Sequence, residues 1–440
     1  MYELKRQLGW MIITLIFLLT GCSNSGDLEG KQTEGEVKGL LKGYWEGTIN
    51  VPNQPLEISV QFQKEEEWEG TISIPLQNVE AYPLADIEID GNRISFQMPV
   101  SGQALRFDGT VNEKKLSGTF TQAGQSYSFA LMKGKQKQES ESGTFLSIET
   151  PTGKLYGELL MPDGVEEAPV ALIIPGSGPT DRNGNTQGSR GNNSLKLLAE
   201  GLAEEGIASL RYDKRGAGRN AQAVVEEDKM RFEVFVNDAE QWLERLKQEE
   251  RFTNIAVIGH SQGSLVGMMA AEPETTDAFV SLAGAGRPID RVLEDQLKES
   301  LPEDLYEESE TILEQLRKGE EVTKVRSSLQ QLFSPDVQPF LRSWMAYDPS
   351  EQLSRLEVPI LIINGEHDLQ VSVEEARRLK AAKPEAELVL LEGMNHVLKD
   401  APVKREENLA TYTNPDLPLK EGLVEEVVKF LRNHNFYHSE

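Results

Sequence analysis

Two hydrophobic rhythms divide the chain. Over residues 44–133, short runs of alternating apolar and polar positions are rich in β-branched and aromatic side chains, the pattern of half-buried strands. Strands are predicted over 44–51, 56–63, 68–74, 87–90, 93–98, 105–111, 115–121 and 127–132. Asp90-Gly91-Asn92, Asn112-Glu113-Lys114 and Ala123-Gly124-Gln125 supply hairpin turns, because Gly and Asn reach positive φ at little cost. A small antiparallel all-β domain over 44–133, sandwich or barrel, is the expected outcome.

From about residue 144 the rhythm changes. Continuous apolar runs at 170–175, 208–212, 255–259, 278–283, 359–364 and 387–391 alternate with amphipathic segments at 194–205, 233–248, 264–271, 373–381 and 423–433. That alternation predicts an α/β domain over 144–440, a largely parallel sheet with helices on both faces. Residues 288–344 interrupt it with helical stretches and no strand pattern, so they are read as an inserted helical cap. Residues 134–143 carry no apolar side chain and are read as a linker.

The N-terminus belongs to neither unit. Lys5 and Arg6 precede an apolar stretch at 10–19 that is too short to span a bilayer comfortably. It runs into Leu19-Thr20-Gly21-Cys22, which resembles a bacterial lipoprotein signal. That resemblance implies removal of a signal peptide at 1–21, acylation of Cys22, and a membrane-anchored protein of the bacterial cell envelope, outside the cytoplasm. Residues 22–43 then form a polar, Gly-containing tether. Cys22 is the only cysteine, which excludes an intramolecular disulfide. A formal charge of -27 would repel phosphates before contact, so no nucleic-acid partner is expected.

Candidate chemistry begins at Gly259-His260-Ser261-Gln262-Gly263, between the strand at 255–259 and the helix at 264–271. A G-x-S-x-G turn between strand and helix lifts a serine hydroxyl above the sheet edge and aims helical N–H groups at it. Ser261 is therefore the candidate nucleophile. Its base must come from five histidines. His260 is fixed in the turn, His434 and His438 lie in the C-terminal tail, and His367 adjoins a better-placed acid. His396, in the loop after the last strand, remains. The orienting acid should follow an earlier strand, where Asp368 is preferred and Glu366 competes two residues away. The resulting order Ser, Asp, His is that of the α/β-hydrolase fold. Two N–H donors are also needed for the oxyanion: the Gln262 backbone, and the Ser177 backbone within Pro175-Gly176-Ser177-Gly178-Pro179. The sequence contains no H-E-x-x-H, P-loop or dinucleotide fingerprint, so neither metal nor cofactor is expected.

Pro175 to Asn185 and Leu210 to Gly218 resemble a group of bacterial α/β-hydrolase esterases near the dienelactone hydrolases and serine aminopeptidases. The resemblance covers residues from about 144 to the C-terminus, and some members also carry an N-terminal β-rich domain. It implies hydrolysis of small carboxylic esters, with Ser261, Asp368 and His396 as triad and Ser177 and Gln262 as oxyanion hole. Asn183 departs from the Asp often found there. Asp181, Arg182, Asp213 and Arg215 are read as ion pairs bracing the oxyanion loop rather than as substrate ligands.

A serine carboxylesterase acting on small-molecule esters of short to medium acyl length is the leading expectation. Leu293, Leu297, Leu313, Leu316, Phe333, Phe340 and Trp344 of the cap would then face the acyl chain. An aminopeptidase is the first alternative, because acidic cap residues such as Glu294, Asp295, Asp304 and Glu308 could take an α-ammonium group. A surface-binding lipoprotein with secondary hydrolase activity is the other.

Overall fold

The computed structural model describes residues 40–436, apart from 53, 65–66, 101–102, 135–143 and 187–190. The expected signal segment, Cys22 and nearly all of the tether and linker lie outside the described residues. No helix among the described residues is long and apolar enough to cross a membrane.

The first domain is an antiparallel meander of β1 (Gly43–Ile49), β2 (Leu56–Lys64), β3 (Trp68–Ile74), β4 (Val79–Pro83), β5 (Ala85–Asp90), β6 (Arg93–Val100), β7 (Gln103–Asn112), β8 (Lys115–Gln122) and β9 (Gln125–Lys133). Spatial order runs β4-β3-β2-β1-β9-β8-β7-β6-β5. The two edge strands, β4 and β5, are separated in the chain by Leu84 alone, so the sheet must curl until its edges meet. The Gly70 carbonyl of β3 accepts from the Leu84 N–H at 2.8 Å, continuing the β3–β4 ladder, and β5 folds back over the same end of the sheet, where a Cβ on Gly70 would lie 3.2 Å from Ile87 Cδ1. Of the two expected outcomes, a barrel is the one that forms. Fully buried Trp45, Phe62, Phe96, Phe107 and Phe129 occupy its interior, with Phe96 and Phe107 stacked at 4.7 Å. The hairpin at Ala123-Gly124 has both residues at positive φ, matching the strand twist as a two-residue turn requires.

The second domain has eight strands: β10 (Thr144–Thr150), β11 (Gly153–Leu160), β12 (Ala168–Ile174), β13 (Ala208–Tyr212), β14 (Phe252–His260), β15 (Ala278–Leu282), β16 (Ile360–Gly365) and β17 (Glu387–Leu391). Their order is β10-β11-β13-β12-β14-β15-β16-β17. The pairs from β13 to β17 are parallel, whereas β10 and β11 form an antiparallel hairpin at one edge. Every residue of β12, β13 and β15 is buried, because helices cover both faces. Phe232, Trp242 and Leu265 pack on one face; Leu195, Leu202, Val427 and Phe430 pack on the other.

From β12 the chain steps to β13 on one side and then crosses to β14 on the other. Such a reversal leaves a crevice beyond the carboxyl ends of the two diverging strands. The loop bearing Ser177 follows β12, and Ser261 follows β14, so both candidates reach this crevice. Helices Ile289–Ser300, Glu303–Arg317, Gln330–Phe333 and Gln338–Met345 form the insertion between β15 and β16. Leu313, Leu316 and Phe333 are buried in a small core belonging to that insertion, with Leu293 and Leu297 packed against it.

Candidate active site

Ser261 sits at φ 54°, ψ −119° between β14 and the helix Gln262–Ala270, a backbone state that costs about 1–3 kcal/mol for a non-glycine residue. Neighbouring glycines make the turn feasible. A Cβ on Gly259 would lie 2.3 Å from the Gly263 carbonyl oxygen, and one on Gly263 would lie 2.3 Å from that of Ile174. The turn is held open by the Ser261 N–H, which donates to the Leu282 carbonyl at 2.9 Å.

The structure brings the three side chains together. His396 Nε2 lies 3.1 Å from Ser261 Oγ, and His396 Nδ1 lies 2.8 Å from Asp368 Oδ2. The Asp368 carboxylate is buried, and its Oδ1 accepts the backbone N–H groups of Gln370 at 2.7 Å and Val371 at 2.9 Å. Glu366, the rival acid, is exposed to solvent. His260 has a task that the sequence did not disclose. Burial, reinforced by the neighbouring His396 ring, pushes its pKa down to about 4, so it is neutral at pH 7. Its Nε2–H donates to the His396 carbonyl at 2.8 Å, holding the backbone of the base against the turn of the nucleophile.

Gly176 passes directly beside Ser261: a Cβ on Gly176 would lie 3.4 Å from Ser261 Cβ. Among the described residues, the backbone N–H groups of Ser177 and Gln262 have no acceptor. Beyond Ser177 the loop is braced. Asp181 accepts from the backbones of Asn183 and Asn185 at 2.9 and 2.8 Å, and burial raises its pKa to about 6. Arg182 pairs with Asp213 at 3.0 Å and with Glu158 at 2.6 Å. Burial opposes its charge, yet Asp213 and Glu80 together hold its pKa above the usual value. Asn183 Oδ1 accepts from Arg211 at 2.5 Å. Arg215 departs from the expected brace, pairing instead with Asp238 of the helix Phe232–Lys247 at 2.6 Å.

The β domain also takes part. Glu80 of β4 reaches Arg182 at 2.8 Å and Arg219 at 3.0 Å, and the Gly218 N–H donates to the Asn78 carbonyl at 2.8 Å. The first domain is thus docked against the loops that follow β12 and β13.

A cleft of about 160 Å³ is lined by Gly178, Pro179, Lys214, Arg215, Met230, Phe235, Gln262 and Phe340. Of the seven apolar cap residues expected to face an acyl chain, only Phe340 lines it. Trp344 instead stacks on Phe232 at 5.7 Å, and the leucines and Phe333 serve the cap's own core. A larger cleft of about 660 Å³ is bordered by His367, Glu392, Asp400 and Lys420; none of Ser261, Asp368 and His396 lines either cleft, but the smaller one is bordered by Gln262, the residue after Ser261.

A family model described as serine aminopeptidase, S33, matches residues 192–400, a stretch containing Ser261, Asp368 and His396 in the order this architecture uses. The second domain has the α/β-hydrolase fold. Esterase EstD of Thermotoga maritima is 28% identical to the chain over 260 residues, covering 56% of this chain and 58% of that protein. The chain therefore matches less than two thirds of its relative's length. Similar solved structures include Est1E from Butyrivibrio proteoclasticus with bound ferulic acid, at 19% identity, TM-score 0.45, and coverage of 66% of this chain and 98% of that one. The Pyrococcus furiosus esterase Pf2001 is similar at 18% identity, TM-score 0.42, and coverage of 68% and 96%.

Two further residues join this site without having been singled out in the sequence. Glu80 is one acidic residue among many in a chain of 72 Asp and Glu, and its neighbours in sequence carry no mark of a distant arginine. Lys214, in the turn Asp213-Lys214-Arg215-Gly216, is buried beside the oxyanion loop. Its sequence setting gives no signal of burial, since lysine in a polar turn is ordinarily exposed.

Proposed function

We propose that the protein is a serine esterase that hydrolyses carboxylic esters of short to medium acyl length, anchored to the membrane of the bacterial envelope through lipid on Cys22. The observation that carries the catalytic reading is the continuous path Ser261 Oγ, His396, Asp368, at 3.1 and 2.8 Å. Ser261 attacks the ester carbonyl while His396 Nε2 accepts its proton, and the Asp368 carboxylate stabilises the resulting imidazolium. The tetrahedral oxyanion is received by the N–H groups of Ser177 and Gln262, each such donor typically contributing about 100- to 1,000-fold in kcat. His396 then returns the proton to the leaving alcohol, and water, activated by the same histidine, releases the acid from the acyl-enzyme.

The cleft favours an ester over a free aminoacyl amide, since no carboxylate lines it to hold an α-ammonium group. Acidic cap residues are engaged elsewhere: Asp295 with Arg287, Glu294 with Arg317, and Asp304 and Glu308 with Arg326. Turnover of acetyl to palmitoyl esters should rise and then fall with chain length, as each buried methylene contributes about 0.8 kcal/mol until the cleft is full. Rapid cleavage of free aminoacyl amides, with simple esters and N-blocked amides inert, would replace the esterase reading by the aminopeptidase one.

The anchor rests on the sequence Leu19-Thr20-Gly21-Cys22. Expressed in a bacterial host, the wild-type protein is expected in the membrane fraction with a mass increased by the diacylglyceryl group. Cys22→Ala should abolish that mass increment and signal cleavage at this site. An unchanged mass and fractionation in the variant would rule out lipidation.

A further inference from the structure

The side chain of Lys214 is buried without a carboxylate partner at ion-pair distance among the described residues. Burial pushes its pKa down to about 7, against the favourable pull of Asp238. A charged group in such a place is costly unless its donors are satisfied, and here they are directed at one feature. Lys214 Nζ donates to the Gly176 carbonyl at 3.0 Å and to Gln262 Oε1 at 2.7 Å, and it stands 4.0 Å above the centre of the Phe235 ring. Its own backbone N–H donates to the Thr180 carbonyl at 3.0 Å, further along the same loop.

From this geometry we infer that Lys214 is the positioning residue of the oxyanion hole, tying its two backbone donors into one fixed pair. In a trans peptide the carbonyl and the following N–H point in opposite directions. Drawing the Gly176 carbonyl toward Lys214 therefore turns the Ser177 N–H away from the lysine and fixes the peptide's orientation. That peptide needs fixing because a flip turns ψ of Gly176, which has no Cβ to resist it. The second hydrogen bond holds the side chain of Gln262, whose backbone supplies the other donor. The inference rests on the esterase reading given above.

The test compares wild type, Lys214→Met, Lys214→Arg and Gln262→Leu, measuring kcat and KM for a short-chain ester and the inhibition constant of a trifluoromethyl ketone. The hemiketal formed by that ketone places an oxyanion in the hole. Lys214→Met is expected to lower kcat and ketone affinity together by about 100- to 1,000-fold, with KM nearly unchanged. Lys214→Arg, retaining donors, should recover part of both. Gln262→Leu keeps its backbone N–H and loses one tie, so it should show a smaller parallel loss, and it decides the matter if melting shows Lys214→Met unfolded. A rise in KM alone, or wild-type kcat and ketone affinity in a folded Lys214→Met, overturns the role of Lys214 while the esterase stands. A wild type inert toward every ester overturns both.

Discussion

Ser261→Ala is expected to lower ester turnover by on the order of a million-fold, the loss typical of removing the nucleophile from a serine triad. What remains should be the small acceleration that binding and oxyanion donors give to direct attack by water. The substitution removes one oxygen and leaves the strained φ of 54° to an alanine, which bears a similar steric burden there. The Ser261 hydroxyl's hydrogen bond is to His396, at the mouth of the crevice rather than in either hydrophobic core. The melting temperature should therefore shift little while activity collapses. Turnover measured beside a thermal melt separates these outcomes; a folded variant with turnover within tenfold of wild type would remove Ser261 from the mechanism.

Asp368→Asn should cost on the order of ten-thousandfold in kcat, and the surroundings explain why an isosteric change is so severe. Asp368 Oδ1 accepts two backbone N–H groups, from Gln370 and Val371, so the amide oxygen of an asparagine must occupy that position. Its NH2 group is then turned toward His396 Nδ1, where the aspartate had accepted a proton. To accept from the amide, the imidazole must carry its proton on Nε2, and Nε2 can then no longer take the proton of Ser261. Glu366→Gln, at an exposed position, should leave kcat within about twofold, as surface substitutions away from a site do. A severe Glu366→Gln beside a mild Asp368→Asn would exchange the two acids.

How much of this was legible beforehand follows from which forces are local. The strands of the barrel and the central strands of the hydrolase sheet were readable because their side-chain periodicity is written along the chain itself. β4 was not, since its five residues include Pro83 and carry Ala81 at φ 48°, and its pairing is decided by closure of the barrel. The β10–β11 hairpin was missed because it lies at the sheet edge, where roughly every second residue is buried, whereas β12 is buried throughout and shows as a continuous apolar run. Ser261, Asp368 and His396 could be chosen by motif, elimination and order, and the fold places them together. Glu80, His260 and Lys214 owe their positions to contacts across distant parts of the chain, for which residue type alone gives little signal. The cap shows the opposite error. Its apolar residues were real core residues, but periodicity identifies a buried face without saying whether a substrate or a neighbouring helix covers it.

The central claim, that Ser261 is the activated nucleophile of a serine esterase, is most directly tested by treating the purified protein with a fluorophosphonate and mapping the adduct by peptide mass spectrometry. One phosphonyl group per chain, on Ser261 and absent from Ser261→Ala, with loss of ester hydrolysis in proportion to labelling, is the predicted result. Full labelling of Ser261→Ala, or complete ester hydrolysis by a protein whose Ser261 is quantitatively modified, would contradict it.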